Sequence, residues 1–205
     1  MIGTPADDQP ARCATWRSND PPRPGRFVVA TAALTAVWCV GFATVNVVFE
    51  ITDHFALGRA PGTVGLRVMD WLVVGLKLIG AALALLSISR RSMVPPALLS
   101  PALWAAFGTL GLYEAGNLVE GLAMVLGLMP GGSELRLIDV GYVVFFGLAA
   151  VGFGILAVGY FRRLDRPRWP DLLGLAGGPL LIAVVLGVIP AILTAGGLLS
   201  LDGLR

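Results

Sequence analysis

From residue 27 onward the chain is dominated by long apolar runs, not by the alternating apolar and polar faces of a soluble helix. Soluble amphipathic helices place polar residues every three or four positions. Unbroken runs near 20 residues therefore predict helices that cross the hydrocarbon of a bilayer. Five such spans are predicted, at 27–49, 68–89, 101–128, 138–161 and 172–199. The third is expected to open with Ser100 as N-cap and Pro101 at the first helical position. Pro130, Gly131 and Gly132 are expected to stop it. Pro179 and Pro190 predict a kink in the fifth span, or its division into two short segments. Residues 1–25 hold Pro5, Pro10, Pro21, Pro22 and Pro24 among polar residues and arginines. With so little apolar surface to offset ordering, this segment is expected to be a disordered tail. The fold class is an all-α integral membrane protein: one domain from 26 to 205, built as a bundle of five transmembrane helices.

Composition agrees with this pattern, at 56% hydrophobic and 14% charged residues with a mean hydropathy of +0.81. The net charge of +2 says little, but the placement of the arginines sets an orientation. Arg12, Arg17, Arg23 and Arg26 precede the first span, Arg90 and Arg91 follow the second, and Arg162, Arg163, Arg166 and Arg168 follow the fourth. Arg59, Arg67, Arg136 and Arg205 fall on the opposite side. The tail is therefore expected in the cytoplasm and the C-terminus outside, in a multi-pass protein of the cytoplasmic membrane. The first span reads as an uncleaved signal anchor, since it is too long for a signal-peptide core and no A-x-A-like site follows. Trp169 and Tyr160 are expected at the inner interface, Trp71 and Tyr142 at the outer one.

Two charges interrupt this pattern. Lys77, the chain's only lysine, lies in the second span, 13 residues before Arg90, and Glu114 lies in the third, 13 residues after Pro101. At about 1.5 Å per helical residue, both fall roughly 20 Å from the cytoplasmic side, near mid-membrane. Each would cost roughly 2.5–3.5 kcal/mol there without a partner. Asp70, Val74, Lys77, Ala81 and Ala84 share one helical face, as do Phe107, Leu110, Glu114, Asn117 and Gly121. The short connection between these spans predicts antiparallel neighbours. The expectation is an intramembrane polar pair, Lys77 with Glu114, accompanied by Asn117. It would either fix helix register or floor a polar site coupled to protons or ions.

An internal repeat also surfaces at an offset of 69 residues. Leu66-Arg67-Val68-Met69-Asp70 matches Leu135-Arg136-Leu137-Ile138-Asp139, and Pro101 falls on Pro170. The offset carries Lys77 onto Phe146 and Glu114 onto Ala183, so both charges are absent together from the second hairpin. Duplication of a helical hairpin and shared boundary chemistry both account for the match.

Near the outer face, Glu50, Asp53, His54, Asp70, Glu120 and Asp139 form an expected polar rim. It reads as solvated helix ends or as an ion or substrate vestibule. No specific metal spacing is present, so no metal and no cofactor is expected. A single histidine excludes bis-histidine haem ligation, and Cys13 and Cys39 lie in environments too different for a disulfide. Walker, dinucleotide-binding, GxSxG and HExxH patterns are missing from the sequence, and Gly152-Phe153-Gly154 lies in an apolar helix where glycines serve packing. No nucleic-acid role is expected. The expected partners are membrane lipids and a second copy or a larger membrane complex, docked through glycine- and alanine-rich faces. Three function classes follow: a non-enzymatic accessory or structural membrane subunit, a small transporter or channel, and, last, an intramembrane enzyme using the outer carboxylates and His54.

Overall fold

The computed structural model describes residues 24–52, 64–89, 93–128, 137–164, 169–188, 191–192 and 195–196. Residues 1–23 of the predicted tail, Asp53, His54, Arg59, Arg90, Arg91, Pro130, Gly131, Gly132, Arg136, Arg166, Arg168, Pro190 and Arg205 lie outside these residues. The described chain is all-helical: α1 (Arg26–Ile51), α2 (Val64–Leu86), α3 (Pro96–Val125), α4 (Leu137–Phe161) and α5 (Trp169–Ala183), with a π-helical turn, Val184–Val188, continuing α5. Among the described residues two stretches, Arg26–Ile51 and Asp139–Phe161, are long and apolar enough to cross a membrane.

Helix α3 corrects the expectation at both of its ends. It starts at Pro96, with Pro95 in the N-cap position, so Pro96 occupies the first helical turn where a missing N–H costs nothing. Ser100 is therefore internal, and its hydroxyl is used elsewhere. At the other end Gly127 adopts a φ of 71°. Its N–H reaches the Met124 carbonyl and the Leu128 N–H reaches Ala123, the paired bonds of a glycine-terminated helix. The stop therefore comes from Gly127, ahead of Pro130.

Side-chain contacts fix how the helices run. Val28 meets Gly159 and Thr35 meets Gly152, so α1 and α4 are antiparallel. Cys39 meets Gly80 and Phe42 meets Lys77, so α1 and α2 are antiparallel. Phe107 meets Gly154 and Glu114 meets Gly147, so α3 and α4 are antiparallel. On α5, Gly174 faces Pro101 and Gly178 faces Ala105 of α3, a register that advances in the same direction in both helices. Thus α1, α3 and α5 run one way and α2 and α4 the other. The end holding Arg26 and Arg163 is called the lower end below, and that holding Glu50 and Asp70 the upper.

Helix α2 packs mainly on α1, and α3 on α4 and α5, whereas α2 and α3 barely meet. Small residues explain this order. Gly174 and Gly178 let the α5 backbone come against the carbonyls of Pro101 and Ala105, an approach a side chain would prevent. On α1 the buried positions Ala32, Ala36 and Ala43 are likewise small, which lets a neighbouring helix pack closely.

The core is confined to the lower half. It joins Ala32, Ala36 and Cys39 to Ala81 and Ala84, Leu99 and Leu103, and Phe153, Leu156, Ala157 and Tyr160. Tyr160, expected at the inner interface, is only 5% exposed within this core, whereas Trp169, Trp71 and Tyr142 lie at the surface. At the lower end Arg163 donates from Nη2 to the Ser87 carbonyl (2.8 Å) and from Nε to the Gly159 carbonyl (3.0 Å). One cation thus closes the C-terminal carbonyls of both downward helices, where the helix dipoles favour positive charge. Partial burial lowers the Arg163 pKa from its usual value, but a guanidinium stays charged at any physiological pH. In the upper half, residues 44–51, 70–73, 115–125 and 139–148 contain no buried residue among those described. The bundle is closed below and open above.

Candidate functional site

Where the closed half gives way to the open half, α1 and α4 contribute a cluster of rings. Trp38 lies 5.0 Å from Phe145 and 5.4 Å from Phe42, and Phe42 lies 5.3 Å from Phe146 (centroid distances). The i, i+4 spacing of Trp38 and Phe42 puts both on one face of α1. The Trp38 indole N–H donates to the Phe145 carbonyl (3.1 Å), which fixes the two helices in register. On the far side Tyr113 of α3 meets Phe146 at 5.1 Å.

Lys77 and Glu114 flank this cluster. The Lys77 ammonium lies 3.3 Å from the centroid of Phe42 and makes no hydrogen bond. A desolvated cation over a ring face is worth about 2 kcal/mol, which offsets much of the cost of holding this charge away from water. Glu114 is 8% exposed and packs on Gly147 of α4, where its Oε1 would lie 3.4 Å from an added Cβ. Any longer side chain at 147 would displace the carboxylate. Its Oε2 is buried and makes no hydrogen bond.

The two charges therefore stand at one level, since the contacts Lys77–Phe42, Phe42–Phe146 and Gly147–Glu114 carry the same height across four helices. Their charged atoms are not brought together. On α2, Val74, Ala81 and Ala84 are buried along the face that carries Lys77, whereas on α3 Glu114 is buried and Phe107, Leu110, Asn117 and Gly121 are half-buried. What sequence adjacency misjudged is the neighbour. Helix α2 turns its lysine to α1, and α3 turns its glutamate to α4, because α1 and α4 lie between them. Asn117, one turn above Glu114, is half-buried at the base of the open half.

Extending the same registers upward sets Glu50, Asp70, Glu120 and Asp139 within about one turn of a common level. Glu50, Asp70 and Asp139 are half-buried and Glu120 is exposed. Among the described residues no three His, Cys, Asp or Glu side chains are grouped to hold a metal ion. Two buried polar features were not read from the sequence. The Ser100 hydroxyl donates to Asp171 Oδ1 at 2.6 Å and ties α3 to the first turn of α5. The other is the Arg163 clamp. The i, i+4 spacing of Trp38 and Phe42 is the one local signal of the ring cluster in the sequence.

No family model matches this sequence, and neither the curated proteins nor the solved structures yield a similar chain.

Proposed function

We propose that the chain is a multi-pass protein of the cytoplasmic membrane that crosses it five times, with its N-terminus in the cytoplasm, and that it serves as a non-enzymatic accessory or structural subunit. Length supports the crossings beyond the two apolar stretches. Helices α2 and α3 have 23 and 30 residues, about 35 and 45 Å at 1.5 Å per residue, and a hydrocarbon core is about 30 Å thick. Trp169–Ala183 with the turn Val184–Val188 amounts to about 30 Å by the same rise. Large apolar side chains on the outside of every helix, among them Leu34, Leu78, Leu118, Leu148 and Leu180, suit lipid or a membrane partner and would be costly in water. The observation that carries the accessory reading is the closed lower half. Beneath the level of Lys77 and Glu114 the packed interior is mostly alanine, leucine and phenylalanine, and its buried polar groups, among them Thr35, Ser87 and the bonded pair Ser100 and Asp171, are few, which argues against a polar route to the cytoplasm.

The open upper half favours a second reading, a small proton- or ion-coupled transporter held in one conformation with Lys77, Glu114 and Asn117 as its floor. The two readings separate on purification from native membranes in mild detergent. A stoichiometric protein partner supports the subunit; a homo-oligomer whose reconstituted vesicles move protons or ions overturns it in favour of transport. Single cysteines at 57 and 132 labelled from outside, and at 91 and 166 only after permeabilisation, would support the topology. The reverse pattern would refute it.

A further inference from the structure

We propose that Lys77 and Glu114 together form a binding site for a zwitterion, a molecule carrying a primary ammonium and a phosphate or carboxylate, with the ring cluster as its floor. The inference rests on the membrane reading above and gives the open half an occupant. Glu114 is more than nine-tenths buried, yet its Oε2 meets no donor. Lys77 has three N–H donors and a ring face, but no acceptor. These groups have opposite charge, stand at one level and do not bond to each other; Lys77 rests on the Phe42 ring, which packs on Phe146. A bound anion alone would satisfy the lysine and repel the glutamate; a bound cation alone would do the reverse. A zwitterion satisfies both, with its anionic group on Nζ and its N–H donors on Oε2, and leaves no net charge in a low-dielectric site. Nζ and Oε2 are themselves covered, so a ligand entering from above, where the described helices carry no buried residue, must part the side chains over them.

The ligand can come from the bilayer, as an ethanolamine phospholipid, or from solution. The test is native mass spectrometry of the full chain in detergent, titrated with phosphatidylethanolamine, phosphatidylcholine, phosphatidylglycerol and free O-phosphoethanolamine. Phosphatidylcholine lacks the N–H donors that Oε2 requires, and phosphatidylglycerol lacks the cation. Preference for an ethanolamine probe over both is expected to be about tenfold or more, the size of a lost hydrogen bond to a charged group. Glu114→Gln should abolish that preference and Lys77→Met should weaken every phosphate-bearing probe. Retention of the lipid alone identifies a headgroup site; retention of free O-phosphoethanolamine identifies a soluble ligand.

A second readout needs no variant. Phosphatidylethanolamine nanodiscs should protect Glu114 of the wild-type chain from a hydrophobic carbodiimide, relative to phosphatidylglycerol nanodiscs. Equal binding of all probes, or equal labelling in both nanodiscs, overturns the site. If the protein is nonetheless recovered monodisperse from membranes, the membrane reading stands; recovery from the soluble fraction overturns both.

Discussion

Replacing Gly174 with alanine adds one carbon where α5 has no room for it. The new Cβ would lie 2.7 Å from the Cα of Pro101 and 2.8 Å from its carbonyl carbon, besides meeting the carbonyl oxygen. Ordinary carbon contacts are about 3.5–4.0 Å, so the helices must separate by roughly an ångström. Every obstructing atom is backbone, so no rotamer change relieves the overlap. Overpacking of this kind typically costs about 1–3 kcal/mol, and loss of the Ser100–Asp171 bond on separation would add to it. Gly177, three residues along the same helix, supplies the control. Nothing lies within 4 Å of its would-be Cβ, and alanine there should stabilise the helix by about 0.5–1 kcal/mol. The assay is thermal unfolding in detergent, read as the monodisperse fraction surviving each temperature. Gly174→Ala and Gly178→Ala should fall below wild type while Gly177→Ala equals or exceeds it. Should Gly174→Ala match Gly177→Ala, the close approach of α5 to α3 would be refuted.

Three further outcomes follow from the packing. In lipid-stripped detergent without added ligand, Lys77→Met and Glu114→Gln should act additively on stability, with a coupling below about 0.5 kcal/mol in a double-mutant cycle, because their charged atoms do not meet; a coupling of several kcal/mol there would restore a direct ion pair. Phe42→Leu should destabilise the protein more in the presence of Lys77 than in a Lys77→Met background, by roughly 1–2 kcal/mol, as measured by the same unfolding assay. Arg163→Gln removes two charge-assisted bonds at the lower end and should cost about 1–3 kcal/mol, with hydrogen exchange increased at the last turn of α2; unchanged exchange there would deny the clamp.

The helical character of the chain was legible because it depends on run length, which one sequence displays in full. So did the inward faces of Lys77 and Glu114, since helical periodicity is local. Their partners were not legible. Sequence adjacency suggested α2 against α3, but the choice of neighbour depends on which backbones can come closest, and that is settled by Gly174, Gly178 and the α1 alanines acting across long separations. Prolines misled in a similar way. Pro101 looks like a helix start, yet Pro96 stands one turn earlier and takes that role, while Gly127 ends α3 before Pro130 is reached. Nothing local in the sequence singles out Asp171, and only the fold reveals its buried bond to Ser100.

That Glu114 rests on a glycine of the following helix has a consequence for biogenesis. When Glu114 leaves the ribosome, Gly147 still lies about thirty residues behind it, a few seconds away at 5–20 residues per second. On the five-span reading proposed above, the carboxylate waits beside lipid, or beside the insertion machinery, until α4 arrives to cover it. A ribosome stalled in that interval would leave a half-built protein with a bare acid in the bilayer, which is the kind of flaw by which a quality-control protease recognises its substrate.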